Sequence, residues 1–209
     1  TGMYATTAIL AALRHRDLTG QGQAIDMALL DSQIAVLGNQ ALNYLVSGNL
    51  PPRLGNAHPN IVPYDVFPVA DGHIIIATGN DGQWRKLCEV LGEASLADDP
   101  AYVDNRSRVK NRVALTERLH ALCQRFSKAD LLAALEKQGV PAGPINSVAD
   151  VFADPQFIHR QMKIQPEGVA GIRTPIRFSE STLSLAKGAP VLGAHSAEVL
   201  TALSAIEAK

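Results

Sequence analysis

The sequence has few cysteines, few aromatic residues and no excess of positive or negative charge. Two of the 209 residues are cysteines, 5% are aromatic, and the formal net charge is −1. Nucleic-acid-binding proteins normally carry a basic excess or a stripe of Lys and Arg, so this class is disfavoured. The longest aliphatic stretches, such as residues 8–13, are too short to span a membrane. We therefore expect a globular, cytoplasmic protein that binds neither nucleic acid nor membrane and keeps Cys88 and Cys123 as buried thiols.

The sequence also lacks the common signatures of metal, nucleotide and serine-nucleophile sites. Its six histidines are scattered without the spacing of metal ligands, at positions 15, 58, 73, 120, 159 and 195. No Walker A, Rossmann or Gly-x-Ser-x-Gly pattern occurs. We expect no metal site in this chain.

The chain opens at Thr1 without an initiator methionine, a basic segment or a cleavage-site pattern. Apolar residues recur at helical spacing from Met3 onward, which predicts a helix already under way at the start. We expect the chain to be a piece of a longer protein rather than one that carries a signal peptide.

Hydrophobic periodicity and turn residues predict a mixed α/β chain. Besides the opening helix and a helical turn after Pro155, helices are predicted over residues 32–46, 82–91, 113–126, 128–138, 148–152 and 196–206. Strands are predicted over residues 24–29, 64–69, 73–78, 162–165 and 173–178. The Asp71-Gly72 pair suits a hairpin turn, Ser127 an N-cap, and Gly48 and Gly139 the ends of helices.

A segment of about fifteen residues, 49–63, has no periodic pattern, and its length suggests a function beyond connecting two elements. Arg53, Asn56, His58 and Asn60 place a guanidinium, two amides and an imidazole on backbone that Gly55 and Pro59 free from regular structure. Such a set suits a surface that closes over an anionic ligand. A plain surface loop is an equally compatible interpretation.

Several groups of residues, in this order, resemble the family III CoA-transferases, which are related to carnitine, bile-acid and formyl-CoA transferases. The groups are residues 1–3, 9–13, 19–23, 26–31, 55–64, 67–76, 139–146, 154–156 and 190–195. The resemblance covers essentially the whole chain. It is greatest to dicarboxylate-handling members such as the succinate–hydroxymethylglutarate type, chiefly through residues 58–64 and 79–83.

The resemblance implies the C-terminal part of the family's α/β fold. Residues 1–62 and 147–209 would be the remnant of a Rossmann-like large domain, and residues 63–146 an inserted small α/β domain. Two chains of the family thread through one another as an interlocked homodimer. A separate N-terminal fragment is an alternative partner for this chain.

The resemblance also implies a chemistry in which CoA passes between an acyl-CoA, such as succinyl-CoA, and a carboxylic acid. The family's catalytic aspartate would lie about three residues before Thr1, so no catalytic residue is expected in this chain, and the chain alone is expected to be inactive. That aspartate forms a mixed anhydride and then an aspartyl-CoA thioester, which is covalent catalysis. Coenzyme A enters as a substrate, without a metal.

Fewer site residues carry over onto this chain. The loop formed by Gly55, Asn56, His58, Pro59 and Asn60 occupies the place of the glycine-rich lid of formyl-CoA transferase, although its composition differs. The next segment, Asn80-Asp81-Gly82, matches substrate-contacting positions.

Asn80 is the favoured contact of that segment, because an ionised Asp81 repels a dicarboxylate unless it points away. Arg53 is a candidate contact for a CoA phosphate or a carboxylate, with surface solvation as an equal alternative.

Two other functions stay open at this point. One is a 2-methylacyl-CoA racemase of the same fold, which is disfavoured by the residues at 58–60. The other is a non-catalytic fragment or subunit that only binds CoA. The residues preceding Thr1 would discriminate: an aspartate alone supports transfer, an aspartate with an upstream histidine supports racemisation, and no aspartate supports binding.

Overall fold

The computed structural model describes residues 1–207, which form two compact units, one over Thr1–Pro59 and a second that begins at Asn60. Both units contain helices, and the second also contains two small β-sheets. The predicted α/β class is confirmed. The grouping of both chain ends into one domain around an inserted domain at 63–146 stays a prediction.

The first unit consists of three helices, α1 (Gly2–Thr19), α2 (Leu29–Ala35) and α3 (Asn39–Ser47). The predicted opening helix is confirmed and runs to Thr19. Gly48 ends α3 in the left-handed conformation, as predicted. Among the described residues of this unit, Ser32 alone is buried.

Two predictions for the first unit are wrong. Residues 24–29 do not form a strand, because no described segment pairs with them and a strand needs a partner for its N–H and C=O groups. The single helix predicted over 32–46 is divided into α2 and α3. Gly38 lies between them with φ 53° and ψ −123°, a conformation outside the helical region that glycine adopts readily.

The second unit is built on a three-stranded antiparallel sheet in the order β1 (Tyr64–Val69), β2 (Gly72–Ala77) and β3 (Ala142–Pro144). The hairpin between β1 and β2 pairs Tyr64 with Ala77 and Val69 with Gly72, so its turn is formed by Ala70 and Asp71, one residue earlier than the predicted Asp71-Gly72 pair. The edge strand β3 pairs with β2, with Ile74 opposite Pro144. This confirms the predicted hairpin.

Four helices accompany this sheet: α4 (Asp81–Val90), α5 (Asn105–Lys110), α6 (Arg112–Cys123) and α7 (Lys128–Gln138). They bury one apolar core with the strands, whose fully buried members include Phe67, Ile74, Ile76, Trp84, Leu87, Leu115, Leu119, Leu131 and Leu135. Each such side chain contributes about 1.5–3 kcal/mol through burial, so this core accounts for the cohesion of the unit.

Most helix predictions for this core are confirmed, but one helix ends earlier than predicted and one was not predicted. The helix over 128–138 has the predicted N-cap, since Ser127 accepts a hydrogen bond from the amide of Asp130, and it ends at Gly139. The helix predicted over 113–126 ends at Cys123, after which the amides of Arg125 and Phe126 bond the carbonyls three residues before them and form a tighter turn. Helix α5 was not predicted.

The remaining elements are α8 (Val148–Ala153), α9 (Pro155–His159), β4 (Lys163–Ile164), β5 (Gly171–Ile172) and α10 (Ser196–Glu207). They confirm the predicted helices at 148–152, after Pro155 and at 196–206, and the strand within 162–165. The strand predicted over 173–178 is wrong. The pairing with β4 ends soon after Ile172, because Pro175 has no N–H to donate to the sheet.

Candidate functional site

The predicted loop residues lie on irregular backbone between α3 and β1. Gly55 and Asn56 form a turn with φ 63° at Gly55, and the amide of Ala57 bonds the carbonyl of Leu54 over 3.2 Å. Arg53, Gly55 and Asn56 are exposed, whereas His58 and Pro59 are half-buried. These five residues follow one another along a single loop. The boundary between the two units falls after Pro59, so Asn60 belongs to the second unit.

The second predicted segment forms the beginning of α4. The side-chain oxygen of Asn80 accepts a hydrogen bond from the amide of Gln83 over 2.9 Å, and the side-chain oxygen of Gln83 accepts one from the amide of Gly79 over 2.6 Å. Asn80 is therefore the N-cap of the helix. Asp81 and Gly82 carry its first two N–H groups, which have no intrahelical acceptor and lie at the positive end of the helix dipole.

The carboxylate of Asp81 is paired with a buried arginine. The Nη2 atom of Arg108 lies 2.8 Å from Oδ1 of Asp81, and the two side chains are 1% and 58% exposed. The sequence led us to expect that Asp81 would repel a bound carboxylate unless it were protonated or turned away. In the structure the repulsion is reduced in another way, since the guanidinium of Arg108 offsets the negative charge of Asp81.

Helix α5 connects this helix end to the end of the predicted loop. Arg108 donates through Nε to the carbonyl of Val62 over 2.7 Å, in addition to its bond with Asp81. Asn105 donates to the carbonyl of Asn60 over 2.9 Å and accepts from the amide of Val62 over 3.1 Å. Residues 60–62 and the start of α4 are thus held together by two side chains of one short helix.

Sequence reasoning missed Asn105 and Arg108. Helix α5 carries a single apolar residue, Val109, so hydrophobic periodicity gave no indication of it. The one available signal was Asp104, whose carboxylate accepts from the amide of Ser107 over 2.7 Å as an N-cap. That bond lowers the pKa of Asp104 from its ordinary value, since it stabilises the ionised form.

The two cysteines are buried as predicted. Removal from water raises the pKa of both thiols to about 12, with no charged group able to reverse this effect. Cys88 and Cys123 are therefore neutral near pH 7 and unsuited to nucleophilic attack.

Within residues 1–207 no cluster of His, Cys, Asp and Glu side chains could hold a metal ion. In the same part of the chain, each helix is too short or too polar to cross a membrane.

Comparisons with known proteins agree with one another. The family described as CoA-transferase family III matches residues 1–196. The succinate–glutarate CoA-transferase of Agrobacterium fabrum is 50% identical over 99% of this chain and 53% of its own length. The human succinyl-CoA:glutarate CoA-transferase is 38% identical over 96% of this chain and 47% of its own length.

A solved structure gives the same result for the fold. A CAIB/BAIF family protein from Brucella suis matches with a TM-score of 0.80 and 55% identity, covering 97% of this chain and 54% of that one. The chain spans about half the length of the curated relatives that it matches. The order of sequence motifs, the fold and these similarities lead to one conclusion: the chain belongs to CoA-transferase family III.

Proposed function

We propose that the protein transfers CoA from a dicarboxylyl-CoA, such as succinyl-CoA, to a carboxylic acid. The observation that carries this proposal is the similarity, over nearly the whole chain, to two enzymes whose names pair succinate or succinyl-CoA with glutarate. Both partners in those names are dicarboxylates. The acceptor is therefore proposed to be a dicarboxylic acid of similar length.

The proposed chemistry proceeds through an aspartate expected about three residues before Thr1 in the complete protein. Its carboxylate attacks the thioester carbonyl, CoA leaves as the thiolate, and a mixed anhydride forms. The thiolate then attacks the aspartyl carbonyl, which releases the donor acid and leaves an aspartyl-CoA thioester. The acceptor carboxylate attacks this thioester, and the returning thiolate completes the new acyl-CoA and frees the aspartate. No oxidant or reductant is needed.

Residues of this chain would bind and shield the reacting groups. The loop from Gly55 to Asn60 is proposed to exclude water from the anhydride and the thioester, since both hydrolyse readily. Asn80 and the amides of Asp81 and Gly82 are proposed to contact the acid, at the positive end of α4. Arg53 is proposed to face a phosphate or carboxylate of the acyl-CoA.

The buried thiols support an aspartyl nucleophile over a cysteine of this chain. With a pKa of about 12, neither Cys88 nor Cys123 supplies an appreciable amount of thiolate near pH 7. The homodimer, a separate N-terminal fragment as alternative partner, and the cytoplasmic location stay predictions.

The test uses the complete protein with succinyl-CoA and glutarate, and it measures glutaryl-CoA by liquid chromatography. Succinyl-CoA without an acceptor should give a protein adduct with the mass of CoA less one water, as a thioester requires, and replacing the upstream aspartate by asparagine should abolish both adduct and transfer. Epimerisation of a 2-methylacyl-CoA without transfer would support the racemase instead. CoA binding with neither reaction would support a binding subunit.

A further inference from the structure

Arg108 is a buried charge that forms a hydrogen bond with Asp81, a residue of the proposed acid site. Its side chain is 1% exposed, and its guanidinium lies 5.3 Å from the centre of the Trp84 ring. A buried cation is costly unless it is paired and hydrogen-bonded. The groups that Arg108 bonds therefore indicate the role of its charge.

The guanidinium binds three different acceptors at once. Nε donates to the carbonyl of Val62 over 2.7 Å, Nη1 to the carbonyl of Tyr102 over 3.1 Å, and Nη2 to the carboxylate of Asp81 over 2.8 Å. The three bonds start from three separate nitrogens of one planar fork, whereas lysine carries all its donors on one nitrogen and so does not reproduce this arrangement.

The charge of Arg108 is directed at one exposed carboxylate. Asp81 is 58% exposed and occupies the first turn of α4, where an anionic substrate group is proposed to bind. Two carboxylates close together repel each other strongly where water is partly excluded. Arg108 offsets the charge of Asp81 and so reduces this repulsion, while its own side chain stays buried.

We propose that Arg108 is a positioning residue for a dicarboxylic acid: it neutralises Asp81 and fixes the start of α4 against residues 60–62. It acts through Asp81 and does not touch the substrate. This inference rests on the proposed function. Its specific consequence concerns charge, since an acceptor with a second carboxylate depends on Arg108 more than an acceptor with one.

The experiment compares glutarate with butyrate as acceptors for the complete protein, with succinyl-CoA as donor. In Arg108→Lys the fork is lost, and kcat/KM for glutarate should fall on the order of tenfold more than kcat/KM for butyrate, mainly through KM. A general loss of structure would lower both values equally. Arg118→Met is the matched control, since Arg118 forms a surface ion pair with Glu93 over 3.0 Å.

A rescue experiment separates charge from packing. Arg108→Met leaves Asp81 unneutralised and should lose the preference for glutarate, whereas the double variant Arg108→Met with Asp81→Asn should regain it. Asp81→Asn alone, at the exposed end of the pair, should raise the glutarate-to-butyrate ratio because Arg108 then faces the site without a counter-charge. This single variant keeps the inference testable if the Arg108 variants do not fold.

The outcomes are separable. If the unaltered protein does not transfer CoA to glutarate, the proposed function fails. If it does so while Arg108→Lys or Asp81→Asn leaves the ratio between the two acids unchanged, the proposed function stands and the role of Arg108 is overturned.

Discussion

The side-chain oxygen of Asn80 lies 2.9 Å from the backbone nitrogen of Gln83, so the residue proposed to contact the acid also caps α4. One side chain thus has a structural role and a proposed functional role. The two can be separated by substitutions that keep the cap and remove the amide group, because serine caps helices about as well as asparagine.

Asn80→Ala should lower the free energy of unfolding by about 1 kcal/mol, as expected for loss of an N-cap. Asn80→Ser should retain stability but lower the rate of CoA transfer, since it lacks the amide. Ser127→Ala is the matched control, because it removes the N-cap of α7 away from the proposed site. Urea unfolding and transfer rates measure both effects, and full activity in Asn80→Ser would contradict a substrate contact.

If the loop from Gly55 to Asn60 shields the reactive intermediates, altering it should increase their hydrolysis. His58→Ala and Asn60→Ala should lower the transfer rate on the order of tenfold, about 1.4 kcal/mol in the barrier, and raise the proportion of succinyl-CoA lost to hydrolysis. Leu50→Ala, an exposed position in the same irregular segment, is the control. The measurement is the ratio of glutaryl-CoA to free CoA. Unchanged ratios in both loop variants would leave the segment as a plain connection.

The two hydrogen bonds of Asn105 can be tested one at a time. Asn105→Ala should destabilise the protein by about 1–2 kcal/mol, since the bonds with the backbone of Asn60 and Val62 are both lost. Asn105→Asp keeps the acceptor for the amide of Val62 and loses only the donor. Hydrogen exchange of the Val62 amide should therefore accelerate in the alanine variant and not in the aspartate variant. Equal exchange in both would contradict this assignment.

The buried thiols predict a loss of stability in alkaline solution. Burial raises the pKa of Cys88 and Cys123 from 9.0 to about 12, so between these values the folded state retains protons that the unfolded state releases. Their contribution is complete below pH 9 and declines as the pH rises toward 12. The double variant Cys88→Ala, Cys123→Ala should show a shallower decline in the free energy of unfolding over this range. Identical slopes would contradict the prediction.

Elements whose signals are local could be predicted from the sequence. In α7, the cap at Ser127, the buried Leu131 and Leu135, and the final Gly139 all lie within the helix or at its ends. The hairpin of β1 and β2 likewise follows from two short strand-forming runs on either side of Asp71-Gly72, although the turn itself lies at Ala70 and Asp71.

Features that depend on distant partners could not be predicted. Arg108 donates to the carbonyl of Val62, 46 residues away in sequence. The residues around either position give no sign that the two are in contact. Residues 24–29 are mostly apolar, yet apolar composition does not supply the neighbouring strand that a ladder requires. For the same reason the sequence could suggest Asn80 as a contact but could not reveal that Asp81 is neutralised.

Trp84, which lies beside the guanidinium of Arg108, provides an intrinsic fluorescence probe of this region. It is the only tryptophan of the chain, it is fully buried, and its ring centre lies 5.3 Å from the cation. Indole emission responds to nearby charge and to the polarity of its surroundings. The fluorescence of this one side chain should therefore report directly on the charge state and packing behind α4.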